Sequence, residues 1–182
     1  LVARRQNLLE ELKKEILENC KDHEQNPEVN NIITDLNVDQ SIDNLIEIIK
    51  SKKINLDLLI NNAGFGSVGY FHKENCDKQV QMVQVNCIAP LKLSHAFIPL
   101  MKKNNSGTII NVCSTASFQP MPYMSTYGAT KSFLMNFSLA LNAELKKFNI
   151  KVMALCPGPT LTEFHLVSGL PEKMSYIPAM SV

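Results

Sequence analysis

A chain of 182 residues that is 45% hydrophobic and 19% charged fits a single globular domain. Its formal net charge of +1 gives no electrostatic case for nucleic acid or an anionic membrane as a partner. No apolar run approaches the ~18 residues of a membrane span.

The chain opens on Leu1-Val-Ala-Arg4-Arg5, which reads as the end of a strand followed by two cations. Gln6 to about Cys20 is a predicted amphipathic helix, with Leu8, Leu9, Leu12, Ile16 and Leu17 on one side. Lys21 to Glu28 is polar, carries Pro27 and reads as a loop. Val29 to Thr34 is a predicted strand that ends at Asp35-Leu36. Ser41 to Lys52 is a predicted helix capped by Ser41 or Asp39, with Ile42, Leu45, Ile46 and Ile49 inward. Leu56 to Asn61 is a buried strand running into Asn61-Asn-Ala-Gly64.

A longer helix is predicted over roughly 78–103. Pro90 lacks a backbone donor, so a kink is expected just after Asn86. Thr108 to Cys113 is a short β-branched run opened by a glycine and reads as a buried strand, with Ser114 at its carboxyl end. Ser125 to about Phe148 is helical, and Lys151 to Cys156 is the next strand, ending in Pro157-Gly158. Strands alternating with helices predict an α/β fold, a doubly wound parallel sheet with right-handed crossovers. The stretch after Pro157 is irregular. The whole of 1–182 reads as one domain.

The five cysteines, Cys20, Cys76, Cys87, Cys113 and Cys156, form no CxxC pair, which predicts a reducing, cytoplasmic setting. Cys113 and Cys156 read as small buried hydrophobes at strand ends. The four histidines show no metal-ligand spacing, so no metal site is expected.

Tyr127 and Lys131 stand four residues apart, which on a helix stacks both side chains on one face. A phenol of pKa ~10 exchanges protons poorly at neutral pH. A nearby cation lowers it by about 1–3 units, and the phenol then serves as a general acid or base. Ser114 lies where ligands bind in open α/β sheets, outside the carboxyl ends of the strands.

Five elements in order carry a resemblance: Asn61-Asn-Ala-Gly64, Asn86, Ser114, Tyr127-x-x-x-Lys131 and Pro157-Gly-Pro-Thr-Leu-Thr162. Together they closely resemble the short-chain dehydrogenase/reductase family, over almost the whole chain. The resemblance implies a Rossmann-like fold and reversible hydride transfer between a nicotinamide and a carbonyl or alcohol carbon. It also implies a homodimer or homotetramer.

By the same resemblance, Tyr127 is the general acid/base. Lys131 lowers its pKa and holds the nicotinamide ribose. Ser114 orients the reacting oxygen, and Asn86 breaks helix regularity and holds a water that links Lys131 to solvent. Asn62, Ala63 and Gly64 let the adenosine half approach the backbone. Asp35 and Leu36 meet adenine, although a capping or loop role for Asp35 is a rival. Pro157, Gly158, Thr160 and Thr162 meet the nicotinamide carboxamide. Arg4 and Arg5, with no acid from Leu1 to Gln6, favour the 2′-phosphate of NADP(H) over NAD(H); the alternative is a solvated charge pair.

Phe65, Phe118, Met121, Tyr123 and the loop after Thr162 line an apolar substrate pocket, or they are hydrophobic packing under that loop. The expected substrate is a small or lipophilic carbonyl or alcohol, as for a carbonyl reductase or alcohol dehydrogenase.

The family's Gly-rich first turn is missing, and a strand, turn and helix would need roughly 30 residues upstream. Met180-Ser-Val182 resembles the start of a late helix, with Ser181 as its cap. The chain is therefore expected to be a piece of a longer enzyme, truncated at both ends. Two rivals to an active enzyme remain: a cofactor-sensing or scaffold protein on the same fold, and an inactive fragment. The retained Asn86, Ser114, Tyr127 and Lys131 argue against the first, because such a protein has no need of them.

Overall fold

The computed structural model describes residues 1–20, 27–160, 163, 164, 168 and 169. These fall into two compact units, 1–53 and 54–182, each taken by itself below. Thr162, Ser181 and part of the 21–28 loop lie outside the described residues.

In the first unit, strand β1 (Val2–Ala3) pairs in parallel with β2 (Ile32–Ile33), Val2 opposite Ile32 and Ala3 opposite Ile33. The pairing is extended by Ile32 N–H on the Leu1 carbonyl at 2.9 Å and Thr34 N–H on the Ala3 carbonyl at 3.0 Å. The strand expected over 29–34 is thus only two residues long, because a strand exists only where a partner accepts its hydrogen bonds and β1 offers two residues.

Helix α1 (Gln6–Asn19) matches its expectation closely, and its Leu9 is buried. Helix α2 (Asp39–Ser51) buries Ile42, Leu45 and Ile46, the i, i+3, i+4 stripe of an amphipathic helix. Neither Ser41 nor Asp39 caps it. Val38 is the cap residue, its carbonyl accepting the Ser41 and Ile42 N–H groups. Asp39 falls in the first turn, where a negative charge favours the helix dipole.

In the second unit, β3 (Leu58–Asn61), β4 (Gly107–Val112) and β5 (Ile150–Leu155) form a parallel sheet in that spatial order. Asn61 stands opposite Asn111, and Asn111 opposite Ala154. The parallel α/β arrangement is as expected, but the described strands form two separate sheets rather than one.

The helix expected over 78–103 has three parts: α3 (Cys76–Val83), a π-helical turn at Gln84–Ile88, and α4 (Ala89–Lys103). The missing N–H of Pro90 would have bonded the Asn86 carbonyl four residues back, so the turn preceding it opens. Helix α5 (Ser125–Leu145) tightens into a single 3-10 turn at Lys146–Phe148 and ends at Asn149, whose φ of 54° is left-handed. Asparagine tolerates that conformation better than most residues. Met101, Ile109, Leu145, Ile150 and Val152 make the main apolar core of this unit. Among the described residues, no helix is long and apolar enough to cross a membrane.

Candidate active site

Strand β4 delivers Ser114, and helix α5 delivers Tyr127 and Lys131. The Ser114 Oγ caps the 3-10 turn at Thr115–Phe118, accepting the Ala116 N–H at 3.1 Å. In return the Ser114 N–H donates to the Ser117 Oγ at 3.3 Å. This reciprocal cap fixes the seryl side chain. Ser114 acts on the Tyr127 phenol by favouring its ionised form. The Ser117 hydroxyl donates to the Lys131 carbonyl at 3.0 Å and so ties the same turn to α5.

Lys131 is almost fully buried, and its Nζ donates to the Val112 carbonyl at 2.6 Å. The same Nζ stands 5.9 Å from the centroid of the Tyr127 ring. Burial lowers the pKa of Lys131; Cys113, Cys87 and Cys156 act in the opposite direction.

Burial also governs Tyr127. Its ring packs with Met82 and Ala116, and Phe65, Met121, Met124 and Phe164 close around them. The Phe164 ring centroid is 5.3 Å from that of Tyr127. Desolvation raises the phenol pKa above its ordinary value, and the hydrogen bond from Ser114 only partly offsets this. The depression expected from Lys131 is thus not the net result in this structure. Burial in the apolar wall sets the direction, Lys131 is not among the groups that shift the phenol, and its ammonium donates to the Val112 carbonyl.

Asn86 is buried in the π turn. Its Oδ1 accepts the Phe65 N–H at 3.1 Å, and its Nδ2 donates to the Phe65 carbonyl and the Thr130 hydroxyl, both at 3.0 Å. The Thr130 hydroxyl donates onward to the Tyr127 carbonyl at 2.8 Å. One amide therefore clamps the segment leaving β3 to helix α5. That segment includes Gly64, where an added Cβ would stand 3.0 Å from Asn86 Oδ1 and 3.4 Å from Lys131 Nζ. At Gly66 an added Cβ would meet the Phe164 ring at 2.8 Å and Tyr127 at 3.2 Å. Both positions bring bare backbone against the site, which is the use of glycine.

The structure brings Asn86, Ser114, Tyr127, Lys131 and Gly64 together. Asn62 and Ala63 lead into Gly64 and are exposed. Pro157, Gly158 and Thr160 follow β5 and are half-buried, with the Thr160 hydroxyl donating to the Gly158 carbonyl at 3.1 Å. Arg4 and Arg5 are exposed residues of the first unit, between β1 and α1. Asp35 and Leu36 follow β2, and the Asp35 carboxylate accepts the Asn37 N–H at 2.9 Å, the contact a loop role requires.

Of the expected pocket residues, Phe65 and Met121 pack beside Tyr127, whereas Phe118 and Tyr123 are 66% and 55% exposed. Phe118 and Met121 help line an open groove over the start of α5, and neither Ser114 nor Tyr127 is among its walls. Phe164, in the loop after Thr162 expected to line the pocket, packs against the cluster that contains Tyr127. Thr130 and Ser117 belong to the site and escaped sequence reasoning. Thr130 sits inside the Tyr127–Lys131 spacing, and Ser117 completes a Ser-x-x-Ser cap, so both left a local signal.

The family model described as short chain dehydrogenase matches residues 1–169. The chain belongs to the short-chain dehydrogenase family.

Among curated relatives, it is 33% identical over 170 residues to an NADP-dependent 3-hydroxy acid dehydrogenase of Schizosaccharomyces pombe, covering 92% of this chain and 63% of that protein. It is 36% identical over 108 residues to the uncharacterized oxidoreductase YvrD of Bacillus subtilis, covering 59% of this chain and 41% of that protein. This short-chain dehydrogenase chain thus spans about half the length of the curated relatives it matches. A solved short-chain dehydrogenase from Sphingobium yanoikuyae in complex with NADPH superposes with a TM-score of 0.88 at 29% identity, covering 100% of this chain and 68% of that one. The arrangement of parallel strands and flanking helices is the Rossmann-like fold of the family.

Proposed function

We propose that the chain is part of an NADP-dependent oxidoreductase that transfers a hydride between the nicotinamide and a carbonyl or hydroxyl carbon of a small or lipophilic substrate. The observation that carries this reading is the cluster of buried Tyr127, Lys131 and Asn86 with half-buried Ser114 at the carboxyl end of β4. The NADP dependence in the name of the fission-yeast relative and the NADPH bound to the Sphingobium enzyme support the choice of cofactor.

The residues fit a nicotinamide nucleotide. Gly64 is a cradle that a Cβ would crowd, beside the only ammonium in the cluster. Lys131 would hold the ribose there, with Pro157, Gly158, Thr160 and Thr162 at the carboxamide. Asn62, Ala63, Asp35 and Leu36 would meet the adenosine half. Arg4 and Arg5 would take the 2′-phosphate through the planar donor fork that suits phosphate. A bound nicotinamide supplies or accepts the hydride.

The chain's own residues handle the proton. Ser114 Oγ is held by the Ala116 N–H as an acceptor, so its own O–H remains to donate to the reacting oxygen or to Tyr127. Tyr127, kept protonated by burial, gives its proton to that oxygen during reduction. Oxidation needs the phenolate, which Ser114 favours and the apolar wall opposes. Asn86 fixes the geometry by holding Phe65 and Thr130, and a water on it would carry the proton relay. The ring of Phe164 and the side chains of Met82 and Phe65 keep solvent from Tyr127, which suits an uncharged substrate carbon.

The test is Tyr127→Phe in the full-length protein. Turnover is expected to fall by about 10²–10⁴-fold, the scale of a lost general acid or base. NADPH binding, read by nicotinamide fluorescence, is expected to stay unchanged. Near wild-type turnover in the Phe variant overturns the assignment.

A further inference from the structure

Partners in a parallel pair of strands stand side by side with their side chains on the same face. The β4–β5 register ends at Val112 opposite Leu155, but the hydrogen bonding continues. The Cys113 N–H donates to the Leu155 carbonyl at 2.7 Å, and the Thr115 N–H to the Pro157 carbonyl at 3.1 Å. Cys113 and Cys156 are therefore the next pair in register. Neighbouring strands lie ~4.7–4.9 Å apart, inside the Cα separation of ~4.4–6.8 Å that disulfides bridge. Cys156 is also among the groups that raise the Cys113 pKa. Cys113 is 2% exposed, whereas Cys156 is partly open to solvent. Both interact electrostatically with Lys131.

We propose that Cys113 and Cys156 are an oxidisable thiol pair, which a hydroperoxide closes to a disulfide and so switches off the site beside it. The sulfur of Cys156, the more accessible of the two, attacks the O–O bond of hydrogen peroxide. It becomes a sulfenic acid, and one water is released. The sulfur of Cys113 then displaces the hydroxyl from Cys156, forming the S–S bond and releasing a second water. Two thiols lose two hydrogens and two electrons, and one peroxide is reduced to two waters. Burial pushes the Cys113 thiol up to about 12, which suits it to the second, resolving position rather than the first attack.

The bond would join the residue before Ser114 to the residue before Pro157. It would pull the two segments that flank the reacting centre toward each other. Dithiol reductants would reverse it by exchange. The loss of turnover rests on the function proposed above, but formation of the crosslink does not.

The test exposes the reduced full-length protein to graded hydrogen peroxide, alkylates the remaining thiols, digests with trypsin and maps the peptides by mass spectrometry. The expected product joins the Cys113 and Cys156 peptides with two hydrogens lost, and dithiothreitol removes it. Turnover is expected to fall and recover in step with that product. Cys156→Ala is expected to keep turnover, form no such crosslink and resist peroxide at the same doses. Cys113→Ala is expected to leave Cys156 as a sulfenic acid that a dimedone-type reagent traps, which separates loss of pairing from loss of folding. Oxidation of the exposed Cys76 without the crosslink overturns the proposal, as does a bridge from Cys113 to Cys87. A crosslink that forms while turnover stays unchanged overturns the switch. A protein with no turnover in any state, yet with the crosslink, overturns the proposed function and leaves the thiol pair supported.

Discussion

The two ends of the β3–β4–β5 sheet are built from opposite chemistry. At the amino end, Ile109, Ile150 and Val152 pack with Met101 and Leu145, and Leu56, Leu59 and Phe148 close over them. At the carboxyl end, Asn61 Nδ2 donates to Asn111 Oδ1 at 2.7 Å, Asn111 Nδ2 donates to the Ser138 Oγ at 2.8 Å, and the Ser138 hydroxyl donates to the Leu134 carbonyl at 2.6 Å. All three side chains are buried. Ser114 and Lys131 lie just beyond them. Apolar contact is non-directional, so the first end asks only for volume. A buried polar chain fails when any partner is lost, so the second end fixes positions as well as stability. The same strands thus hold the fold at one end and position the residues of the candidate site at the other.

The strongest way to break this division is Lys131→Met. Methionine refills the buried stem without burying a charge, so folding stability is expected to hold. Turnover is expected to fall by at least about 10²-fold, because the cation beside the phenol is gone. A cooperative unfolding curve measured with the kinetics separates the two effects. Stability lost in proportion to activity would make Lys131 a structural residue. At the other end, Ile109→Ala removes a fully buried side chain from the apolar cluster. It is expected to cost about 2–5 kcal/mol in urea unfolding. The surviving folded fraction should keep an unchanged KM, since Ile109 packs in the cluster of Met101, Leu145, Ile150 and Val152.

The division also explains what the sequence revealed. The β4 run was legible because a mostly β-branched run after a glycine has few other uses, and its bounds shifted by only one residue. Tyr127 and Lys131 were legible because helix α5 is long, so a four-residue spacing fixes a shared face. Strand β2 was overestimated in extent, because strand length is a property of the partner and not of the segment. The π turn at Gln84–Ile88 was foreshadowed by Pro90 and, through the resemblance, by Asn86, while the apolar spacing runs through it without a break. The partner of Lys131 is a backbone carbonyl, which has no sequence signature. The wall that raises the Tyr127 pKa is drawn from Phe65, Met82 and Phe164, and distant packing of that kind cannot be read from spacing.

A smaller effect sharpens the polar end. Asn61→Ala and Asn111→Ala each strand a buried partner, and each is expected to cost about 1–3 kcal/mol. Because the two side chains share one hydrogen bond, the double variant should lose less than the sum, by roughly 0.5–3 kcal/mol. The cycle is read from urea midpoints of the four proteins. Full additivity would mean that the 2.7 Å contact contributes nothing, and that the two residues act through separate partners.

The smallest effect is a change in slope. Burial raises Cys113 from 9.0 to about 12 and Cys87 from 9.0 to about 11. In the unfolded chain both thiols ionise near their ordinary value, while in the folded chain they stay protonated to higher pH. Between about pH 9 and 12 the folded state therefore holds more protons than the unfolded one, and stability must fall as pH rises. Lys131 works the other way: burial lowers its pKa from 10.5, so the unfolded state holds the extra proton and stability rises toward that pH. The expected profile is a shallow rise into the alkaline range, then a decline once the thiols of the unfolded chain ionise. Under a non-thiol reductant, Cys113→Ala should flatten the decline, whatever its constant packing cost, because only a titrating group contributes to slope. Lys131→Met should remove the rise. Urea unfolding across pH 8 to 11 reads both slopes, and a Cys113→Ala profile parallel to wild type would show that the thiol is open to solvent rather than buried.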